Sequence, residues 1–182
     1  GSNVEPGSGS TIMGYAGITG EDDVQAHGDP YFHYVSIKEI NNYVSNLSCS
    51  ISTSQINNNV YNIDAGQDYN IPKGTAYELS PLVEESIPDQ INFNWEQLDS
   101  GQIGSSNFGP LNVAGPIARS ILPSIKKIRY IPNIERVISG NLTQTNPSRG
   151  SAWETVTNVG RVLNWGITLR DLRDPNQGLI SQ

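Results

Sequence analysis

The sequence predicts a mainly β protein: a β-sandwich with one long loop excursion, preceded by a glycine-rich loop and a single α-helix. Three observations carry this. The composition is low in charge, at 16%, and rich in loop formers, with 18 Gly and 11 Pro in 182 residues, a profile of β proteins with long connections. Short alternating segments recur after residue 60, separated by turn residues at roughly the 8 to 12 residue spacing of a sandwich. Before residue 47 only one stretch has helical periodicity.

Residues 1–29 have no sustained period and read as loop, with an apolar patch over Ile12–Ile18. A helix is expected from Asp29-Pro30, where the acid can cap and the proline fits the first turn. Phe32, Val35, Ile37, Ile40, Tyr43 and Val44 continue it to about residue 45 at an imperfect three/four spacing. Asn46–Asn59 is polar and marks the domain boundary, giving 1–47, a linker at 48–59 and a β domain at 60–182. Strands are expected over Val60–Gly66, Tyr69–Pro72, Ala76–Leu79, Asn92–Leu98 and Val162–Asp171. Between the last two lies a Pro-punctuated excursion, residues 101–155, in which Asn133–Gly140 reads as a short helix ended by glycine.

The net charge of −7 leaves no basic face for nucleic acid or anionic membranes. The one cationic cluster, Arg119, Lys126, Lys127 and Arg129 among Ile121, Leu122, Ile125 and Ile128, reads as structural or as a solvated edge. No apolar run reaches the ~20 residues that span a bilayer. Cys49 stands alone, so no internal disulfide framework forms. It is either a residue whose partner lies outside the chain or a small buried apolar side chain.

The chemistry-bearing types are sparse. His27 and His33 are six apart, which does not place two imidazoles on one helix face; His33 reads as structural and His27 as exposed. Glu21-Asp22-Asp23 and Asp64-Ala65-Gly66-Gln67-Asp68 are oxygen-rich turns that could offer calcium ligands, Asp64 and Asp68 among them. Neither has the alternation of an EF-hand loop, and solvated charge is the competing reading. There is no Gly-x-Ser-x-Gly elbow for a serine hydrolase.

Val4-Glu5-Pro6-Gly7-Ser8-Gly9-Ser10-Thr11-Ile12-Met13-Gly14-Tyr15-Ala16-Gly17-Ile18, followed by Asp29-Pro30-Tyr31-Phe32-His33-Tyr34-Val35-Ser36-Ile37-Lys38-Glu39-Ile40, resembles the C-terminal end of reprolysin-like (metzincin) zinc metallopeptidase domains of secreted bacterial proteins. The resemblance implies that Met13 is the Met-turn residue, which lies under the metal without ligating it. It implies for Tyr15, at the Met-x-Tyr spacing, either packing or a role as zinc ligand or oxyanion donor. It implies an upstream helix with three zinc ligands and a glutamate that would deprotonate metal-bound water for attack on a peptide carbonyl. No His-Glu-x-x-His occurs in the chain. The expectation is therefore a fragment of a secreted zinc endopeptidase, inactive alone. Its expected partners are the missing N-terminal part of the catalytic domain and protein substrates.

Asp64–Tyr69 and Asn94-Trp95-Glu96-Gln97 are similar to the opening and Trp-bearing strands of Ig-like or PKD-like sandwich modules. Arg129–Pro132 and Trp153–Val156 resemble the segment that follows the catalytic domain in these bacterial peptidases. The chain stops at Gly178-Leu179-Ile180-Ser181-Gln182, where one more strand would be expected. The alternative function is an extracellular module that binds protein or glycan. It expects Tyr61, Tyr69, Tyr77 and Trp153 to cluster on one solvent face, whereas a scaffold would bury them.

Overall fold

A computed structural model describes residues 2–49, 61–83, 87–171 and 179–181. Among these, seven short strands form three small antiparallel sheets. The largest joins β4 (Asn92–Gln97), β6 (Trp165–Asp171) and β7 (Leu179–Ser181) in that order. The other two pair β1 (Ile63–Asp64) with β3 (Leu82–Val83), and β2 (Tyr77–Leu79) with β5 (Arg129–Ile131). The helices are α1 (Tyr34–Ser45) and α2 (Ile134–Ile138). The mainly β class is therefore observed.

The register of the central sheet sorts its residues into two faces, because successive side chains point to opposite sides of a strand. Phe93, Trp95 and Gln97 lie opposite Leu169, Ile167 and Trp165. Phe93, Trp95, Ile167 and Leu169 join Tyr61, Ile87 and Ile91 in the main hydrophobic core. Ile63, Leu79, Val83 and Trp165 pack against it, so residues of both small sheets cover this face. On the other face Asn92, Asn94 and Glu96 lie opposite Arg170, Thr168 and Gly166. This polar face is also buried, and what buries it is the N-terminal segment.

A second apolar cluster, Val24, Ile103, Phe108 and Trp153, joins the N-terminal loop to the excursion. Gly7 approaches here with φ +57°, and a Cβ at this position would stand 2.4 Å from the Asp22 carbonyl oxygen and 2.8 Å from the Trp153 ring. Only glycine fits such a left-handed, crowded site. Backbone bonds from Gly7 N–H to the Ile103 carbonyl (2.7 Å) and from Gly101 N–H to the Asn3 carbonyl (2.8 Å) add to the junction. Residues 3–24 thus pack directly on residues 101–153, while positions 50–59 of the expected linker lie outside the described residues.

The helices and strands differ from the sequence reading in several places. Helix α1 begins at Tyr34, with His33 as its N-cap, because Pro30 is followed by Tyr31 N–H bonding to the Asp29 carbonyl (2.8 Å), a turn that delays the helix. Tyr69–Pro72 is not a strand, and the first expected strand shrinks to Ile63–Asp64. Leu179–Ser181, given no strand in the sequence reading, form β7 and pair with Leu169–Asp171. Residues Tyr130, Ile131 and Arg129, read as part of the excursion, form β5. The short helix after Asn133 is present as α2, its N-cap side chain accepting from Arg136 N–H and Gly140 following with φ +74°.

Candidate functional site

The Ser10–Tyr15 loop is fixed from below and open above. Glu5 organises it: its Oε1 accepts from Ser10 N–H (2.9 Å) and its Oε2 from the Thr11 hydroxyl (2.6 Å). Ser10 Oγ donates to the Ser120 carbonyl at 2.9 Å. Gly14 N–H closes a turn on the Thr11 carbonyl (2.9 Å), Tyr15 N–H reaches Ser8 (2.7 Å), and Ile12 N–H reaches Tyr31 (3.0 Å). Ser8, Ser10 and Thr11 are buried. The side chains beyond them turn outward: Met13 is 62% and Tyr15 67% exposed, with Ile12 and Ile18 also exposed. A hydrogen-bonded backbone thus leaves these four large side chains in solvent.

Beneath this loop lies a buried polar seam. The loop and the start of α1 supply Glu5, Tyr31 and His33; the central sheet supplies Asn94, Glu96, Thr168 and Arg170. Glu96 Oε2 accepts from Tyr34 N–H at 2.8 Å and lies 3.4 Å from Arg170 Nη2. Arg170 donates to the Phe32 carbonyl (2.8 Å) and the Thr168 hydroxyl (3.0 Å), with its guanidinium 5.0 Å from the Tyr31 ring centre. His33 Nδ1 accepts from Val35 N–H at 3.1 Å, and its Nε2 stands 3.9 Å from Glu96 Oε1. Gly166, opposite Glu96, leaves the space in which the Tyr34 ring sits; a Cβ there would approach the ring to 2.8 Å.

Burial dominates the acid–base behaviour of the seam. It raises Glu96 from an ordinary 4.5 to about 8, against the opposing charge of Arg170 and the Tyr34 N–H. It lowers His33 from 6.5 to about 4, opposed by Glu5 and reinforced by Arg170 and Arg129. Burial also raises the Tyr31 phenol. For His33 the unfolded state binds the extra proton, so stability is lost as pH falls below 6.5; for Glu96 the folded state binds it, so stability is lost as pH rises above 4.5. Between 4.5 and 6.5 the two slopes cancel, and above 6.5 only the Glu96 loss remains, up to about 8. The urea midpoint is thus expected to be level from pH 5 to 6 and to fall between pH 6.5 and 8, with Glu96→Gln abolishing that fall; an unchanged fall in the variant would refute the assignment.

A second buried pair adjoins the seam. Arg129 Nη2 lies 2.8 Å from Glu154 Oε1, while Glu154 Oε2 accepts from Asn133 N–H at 2.7 Å. The same guanidinium donates to the Trp95 carbonyl (2.6 Å) and the Arg119 carbonyl (2.5 Å), and stacks 5.5 Å from the Trp165 ring centre. The cationic cluster is accordingly divided. Arg129 is buried structure, Arg119 is half-buried and bonded to Gln25, and Lys126 and Lys127 are exposed, Lys127 lying 5.7 Å over the Phe93 ring.

The remaining sequence candidates separate. His27 is exposed and far from the seam in its bonding, its carbonyl accepting from Gln25 at 2.6 Å. Asp23, read as solvated charge, is inaccessible to solvent: its Oδ1 accepts from Gly17 N–H (2.9 Å), Thr19 N–H (3.0 Å) and the Thr19 hydroxyl (2.7 Å), and Arg149 pairs with Oδ2. The Thr19 bonds above all hold its carboxyl down to about 2. The reason for the difference is local, since the Gly17–Asp23 loop folds over its own carboxylate. Asp64 Oδ1 is occupied by Gly66 N–H at 2.9 Å, and Asp64 and Asp68 are both exposed. Cys49 is exposed and free, which removes its reading as a buried apolar residue.

Among the described residues no group of three or more His, Cys, Asp or Glu converges on one point. Of the two histidines, His33 spends Nδ1 on the α1 cap and His27 lies apart from it, exposed. Among the described residues no helix is long and apolar enough to cross a membrane. Sequence reasoning missed Glu5, Glu96, Arg170 and the Arg129–Glu154 pair. For Glu96 and Arg170 the sequence signal went no further than phase: with Asn94 and Thr168 they alternate with Phe93, Trp95, Ile167 and Leu169, which puts them on one sheet face without saying that it is buried. No known protein family, curated protein or solved structure matches this chain.

Proposed function

We propose that the chain is the C-terminal part of a secreted zinc endopeptidase: a Met-turn loop and the last helix of the catalytic domain, carried on an accessory β domain of sandwich type. The single observation that supports this most is the Ser10–Tyr15 loop, whose backbone is locked by Glu5 while Met13 and Tyr15 stand in solvent. Such exposure of large apolar side chains on a rigid loop is what a floor without its covering partner would present. The covering of the central sheet by Ile63, Leu79 and Val83 supports the sandwich. In this reading the three helix-borne zinc ligands and the catalytic glutamate belong to the N-terminal part of the enzyme, and of this chain's residues only the exposed Tyr15 could reach the metal or the oxyanion.

The alternative, a module that binds protein or glycan through its aromatics, loses its main support. Trp153 and Tyr61 are buried and Tyr77 is half-buried, leaving Tyr69 exposed among the four. Buried aromatics serve packing. The purified chain, loaded with zinc and incubated with casein, is expected to show no cleavage that a chelator abolishes. Chelator-sensitive proteolysis by this chain would overturn the proposal, because a complete metal site would then have to lie within it.

A further inference from the structure

Among the described residues, helix α1 is held to the rest of the molecule mainly by its first turn. None of its residues is fully buried, and positions 38–45 are exposed. The firm attachments are the Tyr34 ring over Gly166, the Tyr34 N–H to Glu96 Oε2 (2.8 Å) and the Val35 N–H to His33 Nδ1 (3.1 Å), with an outlying bond between Ser2 and Glu39. Two of the unpaired N–H groups that every helix start exposes are thus met by side chains that titrate. The usual N-caps, Ser, Thr, Asp and Asn, accept across the neutral and mildly acid range. An imidazole does not. Once protonated, Nδ1 carries a hydrogen and faces the Val35 N–H donor to donor, so the cap is lost.

We infer that His33 and Glu96 form an acid-released latch: protonation of His33 uncaps α1 and frees the helix from the central sheet while that sheet stays folded. Around the imidazole stand Glu96 on β4, Arg170 on β6, Arg129 on β5, and Glu5 and Tyr31 on the N-terminal loop. Burial above all, with Arg170 and Arg129 adding to it and Glu5 opposing, delays the protonation to about pH 4. Glu96 does not replace the lost cap, because its Oε2 already serves Tyr34 and its protonation adds no acceptor for Val35. The sheet itself is held by the β4–β6 ladder and the apolar core on its other face, neither of which depends on His33. The latch is independent of the proposed enzymatic origin.

Amide hydrogen exchange of the 182-residue chain, corrected for intrinsic rates and compared at pH 5.5 and 3.8, tests this directly. Protection over Val35–Val44 is expected to fall roughly three- to thirty-fold, the range of a lost N-cap, while β4 and β6 amides keep theirs. His33→Asn supplies a cap without a proton to gain and is expected to hold the α1 protection level. An unchanged α1 in the natural sequence, an equal fall in His33→Asn, or a fall shared by β4 would each overturn the latch. Should His33→Asn not fold, the imidazole of the natural chain is titrated by NMR: its midpoint must coincide with the α1 transition, and a separation of the two midpoints overturns the latch as well.

Discussion

Trp153→Ala is expected to lower the stability of this chain by about 3–5 kcal/mol, the cost of emptying a large, fully enclosed aromatic site. Trp153 is 0% exposed and packs edge-to-face on Phe108 at 5.5 Å between ring centres, with Val24 and Ile103 completing the cluster. Its indole N–H donates to the Ser148 carbonyl at 3.1 Å, so the substitution also strips a partner from that oxygen. Its backbone φ of 49° places it in the left-handed region, which costs energy for a non-glycine residue and persists only where the surroundings over-determine it. Because Val24 and Gly7 lean on this ring, the loss should be felt first in the N-terminal loop. Urea denaturation measures the total, and limited proteolysis between Gly17 and Asp23 reports the loosening. A loss below about 1 kcal/mol, of the size seen at ordinary surface sites, would contradict this packing.

Arg129→Met is expected to cost a comparable amount, about 3–5 kcal/mol, since it leaves a buried carboxylate without its cation. Glu154 would keep only the Asn133 N–H, and the Trp95 and Arg119 carbonyls would lose their donor. Methionine preserves much of the volume and the contact with Trp165, so the loss reports electrostatics more than packing. The double variant Arg129→Met with Glu154→Gln is therefore expected to be more stable than Arg129→Met alone, by about 1–2 kcal/mol, because the uncompensated charge has been removed. Equal stability of the single and double variants, measured by urea midpoints at pH 7, would show that the pair is not coupled.

The parts of this fold that were legible in the sequence are those in which a local pattern decides the outcome. Phe93 and Trp95 alternate with polar neighbours and form β4; Ile167 and Leu169 do the same in β6; Asn133 and Gly140 bracket α2. The alternation over Val60–Gly66 located β1 but not its ends, and β3 was beyond reach, because the pairing of Ile63-Asp64 with Leu82-Val83, distant in sequence, sets the extent of both. The polar seam was hidden for a different reason. Asn94, Glu96, Thr168 and Arg170 have the alternation of a sheet face turned to water, and only the placement of Tyr31, His33 and Glu5 over them reverses that. Asp23 belongs to the same class, a carboxylate buried by the fold of its own loop. For the Met loop the residues were readable but their setting was not: the sequence singled out Met13 and Tyr15, while their outward direction depends on Glu5 gripping Ser10 and Thr11 from the inner side.

The enzymatic origin is tested most directly on the reading frame that encodes this chain, sequenced upstream of Asn3. The proposed origin, resting on the resemblance of the Met13–Tyr15 loop, predicts a metal-binding helix bearing His-Glu-x-x-His-x-x-Gly-x-x-His in that upstream sequence. A reading frame that continues upstream without this motif, or that starts at Asn3, would contradict the assignment to a zinc endopeptidase.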